Sequence, residues 1–148
     1  MPKFENKMEI DAPVAKAWEK MIDPQTWPKW FPGIDTVTHV TSVNEGGTFE
    51  WTGDGRTGKG TISKVEPMKR LVILTQVDKD KDSHEFKFQA GGGFLGLSSN
   101  DCRVEYTLDT MSGGGILGNF VAGGNPKDAM RVNKAMHLFR KLVEGKRK

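Results

Sequence analysis

The sequence is short of the residues that most often announce chemistry. Cys102 is its only cysteine, so no internal disulfide can form, and a reduced, cytoplasmic setting is the expectation. Its three histidines, His39, His84 and His137, fall on separate predicted elements and match no zinc-ligand spacing. No apolar run approaches the roughly 20 residues a bilayer-spanning helix needs, and no basic segment followed by an apolar one marks a secretory signal. Neither sign of charge dominates. The 22 basic and 19 acidic residues leave +3, much of it in Lys141, Lys146, Arg147 and Lys148. A solvated helix end, where cations complement the helix dipole, accounts for that excess. With no RNA-binding aromatic signature and no basic recognition helix, nucleic acid is not an expected partner, and membrane contact is expected to be transient at most.

What the chain does have is enough material for one core. Its 148 residues are 36% hydrophobic and 28% charged, which predicts a single globular domain over 1–148. Phe4 to Ile10 reads as a first strand, and Asp11 is placed to cap the helix that follows, with Pro13 in its first turn. Val14, Ala17, Trp18, Met21 and Ile22 then form one apolar stripe at helical spacing, ended by Asp23-Pro24. Gln25 to Phe31 adds a further turn anchored by Trp27, Trp30 and Phe31.

Strand patterns follow in succession: Thr36 to Val43, Thr48 to Thr52, Lys59 to Glu66 and the most apolar, Arg70 to Val77. Turn chemistry at 44–47 and 53–58 separates the first three. Asp78, Asp80 and Asp82 lack the glycine and terminal glutamate of a calcium loop and read as a solvated hairpin tip. His84, Phe86, Phe88 and Ala90 share one strand face; Cys102, Val104, Tyr106 and Leu108 share another. The glycines at 91–93 match no phosphate-binding loop. Asn125 and Pro126 open the one long helix, whose stripe is Ala129, Val132, Met136, Phe139 and Val143, closing at Gly145.

In this order the elements resemble the START-like (SRPBCC) superfamily, and within it the polyketide cyclase/dehydrase and lipid-transport group. The resemblance spans essentially the whole chain. It is carried by Ile10-Asp11-Ala12-Pro13 through Trp18 to Asp23-Pro24 and Trp27-Pro28-Lys29-Trp30, by Gly58 to Ile62 with Val65-Glu66-Pro67, and by Asp101 to Thr107 before the last helix. It implies an α+β helix-grip fold: a curved antiparallel β-sheet wrapped around a long C-terminal α-helix, with two short helices after the first strand. It also implies a cavity between sheet and helix, and leaves the use of that cavity open.

Three uses follow. The first is binding or transport of a hydrophobic or amphipathic small molecule: a lipid, a quinone or an aromatic metabolite. Phe49, Trp51, His84, Phe86, Phe88, Tyr106, Val132, Met136 and Phe139 are the expected lining, since all take inward phases. Glycines at 53, 58 and 60 would loosen the walls, and 91–97 and 116–122 would gate the opening. Tyr106, the sole tyrosine, either orients a ligand or bonds a neighbouring group, and His84 is either a cavity group or a satisfied histidine. The second use is a cyclase or dehydratase acting in the same cavity through Tyr106 or His84, although no converging acid and base stand out. The third is a protein-interaction module like the chaperone activators of the superfamily, which would expose Trp27, Trp30 and Phe31. No cofactor and no metal are implied.

Overall fold

Alternation with a period of two decides which side of each strand faces inward. Phe49, Trp51 and Gly53 are buried while Glu50 and Thr52 are exposed; His84, Phe86 and Phe88 are buried, as are Cys102, Val104, Tyr106 and Leu108. The computed structural model describes residues 3–31, 33–53, 55–77, 80–90, 101–111 and 126–145. Within them β1 (Lys3–Ile10) leads to α1 (Val14–Met21), a 3-10 turn (Pro24–Thr26) and the short α2 (Trp27–Trp30). Strands β2 (Thr36–Thr38), β3 (Thr48–Gly53), β4 (Arg56–Glu66), β5 (Arg70–Val77), β6 (Asp80–Ala90) and β7 (Cys102–Met111) follow, then α3 (Pro126–Glu144).

The sheet runs β1-β7-β6-β5-β4-β3-β2. Every neighbouring pair is antiparallel, and the first strand closes on the last through Ile10↔Cys102 and Asn6↔Tyr106. One face packs on α3, whose Val132, Ala135, Met136, Phe139 and Val143 are all buried. The helix is tied to the β1 edge by Asn6 Nδ2 donating to Asn133 Oδ1 at 2.8 Å, and by the Asp11 amide donating to Glu144 Oε2 at 2.8 Å. Gly145 ends it with φ +67°, the left-handed conformation glycine adopts without strain. This is the helix-grip arrangement expected from the sequence. Among the described residues no helix is long and apolar enough to cross a membrane.

Local details differ from expectation for identifiable reasons. Asp11 does not cap α1; Pro13 occupies that position without a side-chain cap, and the Asp11 amide is engaged by Glu144 instead. Strand β2 stops at Thr38 because His39 turns the backbone to φ +54°. The β3–β4 turn is shorter than expected: pairing continues to Gly53 and Arg56, and Gly55 takes φ +75°. Asp54-Gly55 is the sequence signal for that hairpin. Trp27, Trp30 and Phe31 are buried, not a surface patch, which removes the feature an interaction module would need. The expected gates at 91–97 and 116–122, the residues 78–79 of the hairpin tip, and the Asn125 cap lie outside the described residues.

Candidate functional site

The sheet register builds the site. Phe49 lies opposite Gly60, and Gly60 opposite Thr75. Ile73 pairs with His84, which puts Thr75 and His84 on a diagonal; His84 pairs with Leu108, which does the same for His84 and Tyr106. Diagonal neighbours on one face are within reach of long side chains. A hydrogen-bonded chain results: Thr75 Oγ1 is 3.0 Å from His84 Nε2, and His84 Nδ1 is 2.6 Å from the Tyr106 hydroxyl. All three residues are buried.

Electrostatics fixes the state of this chain. Burial, reinforced by the positive charge of Arg131, lowers the His84 pKa from 6.5 to about 3, so the imidazole is neutral at physiological pH. A neutral imidazole has one donor and one acceptor nitrogen, and each hydroxyl can take either role. The chain can run in either direction: Tyr106 donating to Nδ1 with Nε2–H donating to Thr75, whose own O–H is then directed outside the chain, or both reversed, with the Tyr106 O–H directed outside it. Cys102, on the same face, is pushed up to about 11 by burial and by Asp101, which makes it a poor nucleophile.

Aromatic rings surround the chain. Phe86 stacks on Tyr106 at 4.4 Å between centroids, Phe31 meets His84 edge-on at 4.7 Å, and Trp30 packs on both Phe86 (5.5 Å) and Phe139 (5.0 Å). Phe49 joins through Trp27 at 4.9 Å. Of the residues expected to line a cavity, His84, Phe86 and Tyr106 thus touch directly, while Phe139 and Phe49 connect through Trp30 and Trp27. Phe88 stands apart, paired with Trp18 at 5.3 Å. Trp51 lies over Gly58 with its indole N–H donating to the Lys59 carbonyl at 3.2 Å, and Val132 and Met136 are buried on α3.

Gly58 and Gly60 do not loosen the wall. A Cβ at Gly60 would run into the Phe49 ring, and one at Gly58 would come within 2.5 Å of Trp51 and 2.7 Å of the Gln76 carbonyl. Both glycines are floors on which rings lie. Sequence reasoning also missed Thr75, whose inward phase in β5 was the available signal, and the part played by Trp30 and Phe31 in walling the chain. The other histidines stay outside: His137 is exposed, and His39 is exposed beside Glu50, Nδ1 to Oε1 3.3 Å. Among the described residues no cluster of His, Cys, Asp or Glu could hold a metal ion.

A cleft of about 290 Å³ lies beside Phe31, lined by residues of the 28–35 stretch and of α3. Trp30, Phe31, Ile34 and Ala135 form its buried floor, Leu138 a half-buried wall, and Lys29, Asp35, Arg131 and Lys134 its charged rim. A second concavity of about 460 Å³, lined by Glu50, Thr57, Gly58, Lys59 and Gln76, lies along β3–β5.

This architecture recurs in solved structures of low sequence similarity. Protein MLL2253 from Mesorhizobium loti is 12% identical with a TM-score of 0.73, covering 99% of each chain. NE0264 from Nitrosomonas europaea is 16% identical with a TM-score of 0.69, covering 97% of this chain and 95% of that one. DynU16, encoded in the dynemicin biosynthetic locus, is 20% identical with a TM-score of 0.62; 99% of this chain matches 49% of it. No curated protein matches the chain in sequence. The sequence profile of the polyketide cyclase / dehydrase and lipid transport family matches residues 1–144, and the chain belongs to that family.

Proposed function

We propose that this protein binds a hydrophobic or amphipathic small molecule between its sheet and α3, with the Thr75–His84–Tyr106 chain engaging the molecule's polar end. A lipid, a quinone or an aromatic metabolite has the required chemistry. The observation that carries this reading is the buried polar chain itself. Three polar side chains inside an aromatic interior add little net stability, about 0.5–1.5 kcal/mol per hydrogen bond, and apolar groups of the same shape would serve the core as well. Their value lies in being reversible: one flip of tautomer and rotors turns Tyr106 from donor to acceptor. A ligand carbonyl or hydroxyl would select the direction. Affinity would come mainly from apolar burial, at roughly 25 cal/mol per Å² before ordering losses.

An enzyme of the cyclase or dehydratase kind is the second reading, favoured by the 2.6 Å contact between His84 and Tyr106 and by the family's description, which names cyclases and dehydrases beside lipid transport. The lowered His84 pKa weighs against it, because a base that protonates near 3 is a weak proton acceptor at neutral pH. Tyr106 acting as a hydrogen-bond donor to a carbonyl is the role left for that reading.

Native mass spectrometry of protein purified without detergent, followed by solvent extraction, tests the proposal. The expected result is a stoichiometric apolar adduct, with binding of a polar-headed ligand weakened about tenfold in a folded Tyr106→Phe variant. An apo mass together with no saturable binding of quinone or fatty-alcohol probes would overturn it. Turnover lost in both Tyr106→Phe and His84→Gln would establish the enzyme instead.

A further inference from the structure

Phe31 belongs to two parts of the molecule at once. Its ring lines the cleft formed by the 28–35 stretch and α3, and it meets the His84 imidazole edge-on at 4.7 Å between centroids. Trp30, the other ring on the cleft, meets Phe86 and Phe139 instead. Arg131, also on the cleft, is near enough for its charge to bear on His84. Contact and field agree that the cleft and the buried polar chain are neighbours, with the Phe31 ring common to both. We propose that Phe31 is a gate: rotation of its ring into the cleft opens a route from solvent to the Thr75–His84–Tyr106 chain.

Packing decides where the ring can go. Interiors are filled at crystal-like density, so a buried ring leaves its place only where space is waiting. Within the core Phe31 is crowded by Trp30 at 5.3 Å, Trp27 at 5.9 Å and Phe86 at 6.2 Å. The cleft, at about 290 Å³, has the room that the core lacks. The backbone also permits the move. Phe31 follows α2 in extended conformation, φ −66° and ψ 131°, where two χ1 wells are open to an aromatic side chain. Its surroundings are pinned: the Phe31 amide donates to the Trp27 carbonyl at 2.8 Å, the Trp27 indole N–H to the Met21 carbonyl at 2.8 Å, and the Trp30 indole N–H to Thr26 Oγ1 at 3.2 Å. The Phe31 ring has no polar atom to tie it down. It is the movable part of a fixed frame.

The gate rests on the reading of the interior as a ligand site, but its test needs no ligand. Tyr106 is the only tyrosine and is buried, so nitration by tetranitromethane, a small apolar reagent, reads access to the polar chain at one residue. Peptide mapping of the full chain by mass spectrometry gives that rate. Oxidation of the buried Cys102 by the same reagent reports general loosening of the core. Phe31→Leu, which cuts the gate down, is expected to speed nitration about tenfold, and Leu138→Trp, which fills the cleft from its half-buried wall, to slow it about threefold. Phe88→Leu, which loosens the separate contact with Trp18, should leave it unchanged. Cys102 should oxidise at the parent rate in both cleft variants. Equal nitration in the parent, Phe31→Leu and Leu138→Trp, or a Cys102 rate that rises in step with Tyr106, would overturn the gate. That outcome leaves the ligand site standing with another entrance, and a failure to find a ligand leaves these rates as they are.

Discussion

The inner face of the sheet has two halves that are closed by different physics. Across β3 and β4, rings lie on glycines: Phe49 over Gly60 and Trp51 over Gly58, with no room for a single added methyl. Across β5, β6 and β7 the same inward row continues as Thr75, His84 and Tyr106, joined by hydrogen bonds of 3.0 and 2.6 Å. Thr75 faces Gly60 across β4 and β5, so the two halves meet at one residue pair. The first half is held by shape, which is rigid and unforgiving because interiors are packed at crystal-like density. The second is held by a chain whose partners can exchange donor and acceptor roles. A molecule entering the interior would find a wall on one side and a partner on the other. The two halves therefore differ in what they contribute: stability from the glycine-floored half, responsiveness from the polar one.

The largest effects should come from the shape-closed half. Phe49→Ala is expected to destabilise the fold by about 3–5 kcal/mol in urea unfolding, through lost burial and the cavity left behind. Gly60→Ala should lose about 1–3 kcal/mol by driving the Phe49 ring off its floor. The double variant should lose distinctly less than the sum, because the methyl then occupies space the ring has vacated. Additivity within about 0.5 kcal/mol would mean that ring and glycine are independent, and the contrast between the halves would lose its first term.

The polar half should show itself in acid. The His84 pKa is lowered from 6.5 to about 3, so between these values the unfolded chain binds a proton that the folded chain refuses. Stability therefore rises with pH across that window; it is fully present above 6.5 and is lost as pH falls towards 3. At about 1.4 kcal/mol per tenfold, a shift of this size corresponds to a loss on the order of 5 kcal/mol. His84→Gln keeps an amide in the chain but cannot take up that proton, so its stability should fall less steeply over the same range. Carboxylates titrate in both proteins and cancel in the difference. Parallel curves for the two proteins from pH 6.5 to 3 would break the link between His84 and the polar half.

How much of this was written in the sequence differs between the halves as well. The fold was legible because strand alternation, the Pro126 start and the Gly145 stop are local signals that act within a few residues. The inward phases of Phe49, Trp51, His84, Phe86 and Tyr106 were legible for the same reason. The pairing of Phe49 with Gly60 was not, since the register across β3 and β4 depends on where the hairpin closes, and closure at Gly53 and Arg56 sets every cross-strand partner. Without that register the glycines read as gaps in a wall, when each is the floor beneath a ring. Thr75 was missed for a related reason: its partner sits nine residues along on another strand, and only the β5–β6 register brings Nε2 to its hydroxyl. The cleft rim joins Lys29 to Arg131 and Lys134 from distant parts of the chain, a juxtaposition that no periodicity encodes.

The smallest expected effect probes the point where the halves meet. Thr75→Val keeps the shape of the side chain and deletes one hydroxyl, so the packing beside Gly60 should persist while His84 Nε2 loses its partner. With that partner gone, the tautomer is forced. An Nε2–H would be buried without an acceptor, whereas a bare Nε2 lone pair leaves Nδ1–H to donate to the Tyr106 oxygen. An unpaired buried donor carries the heavier desolvation penalty, so the Nδ1–H form should dominate and the loss should stay near 1 kcal/mol. Nitrogen-15 chemical shifts of the imidazole distinguish the two tautomers directly. A single Nδ1–H tautomer in Thr75→Val, against a different or mixed population in the parent protein, would show that Thr75 sets the direction in which the chain is read. An unchanged population would mean that Tyr106 alone sets it. Thr75 would then belong, with Gly60, to the half of the interior that is held by shape.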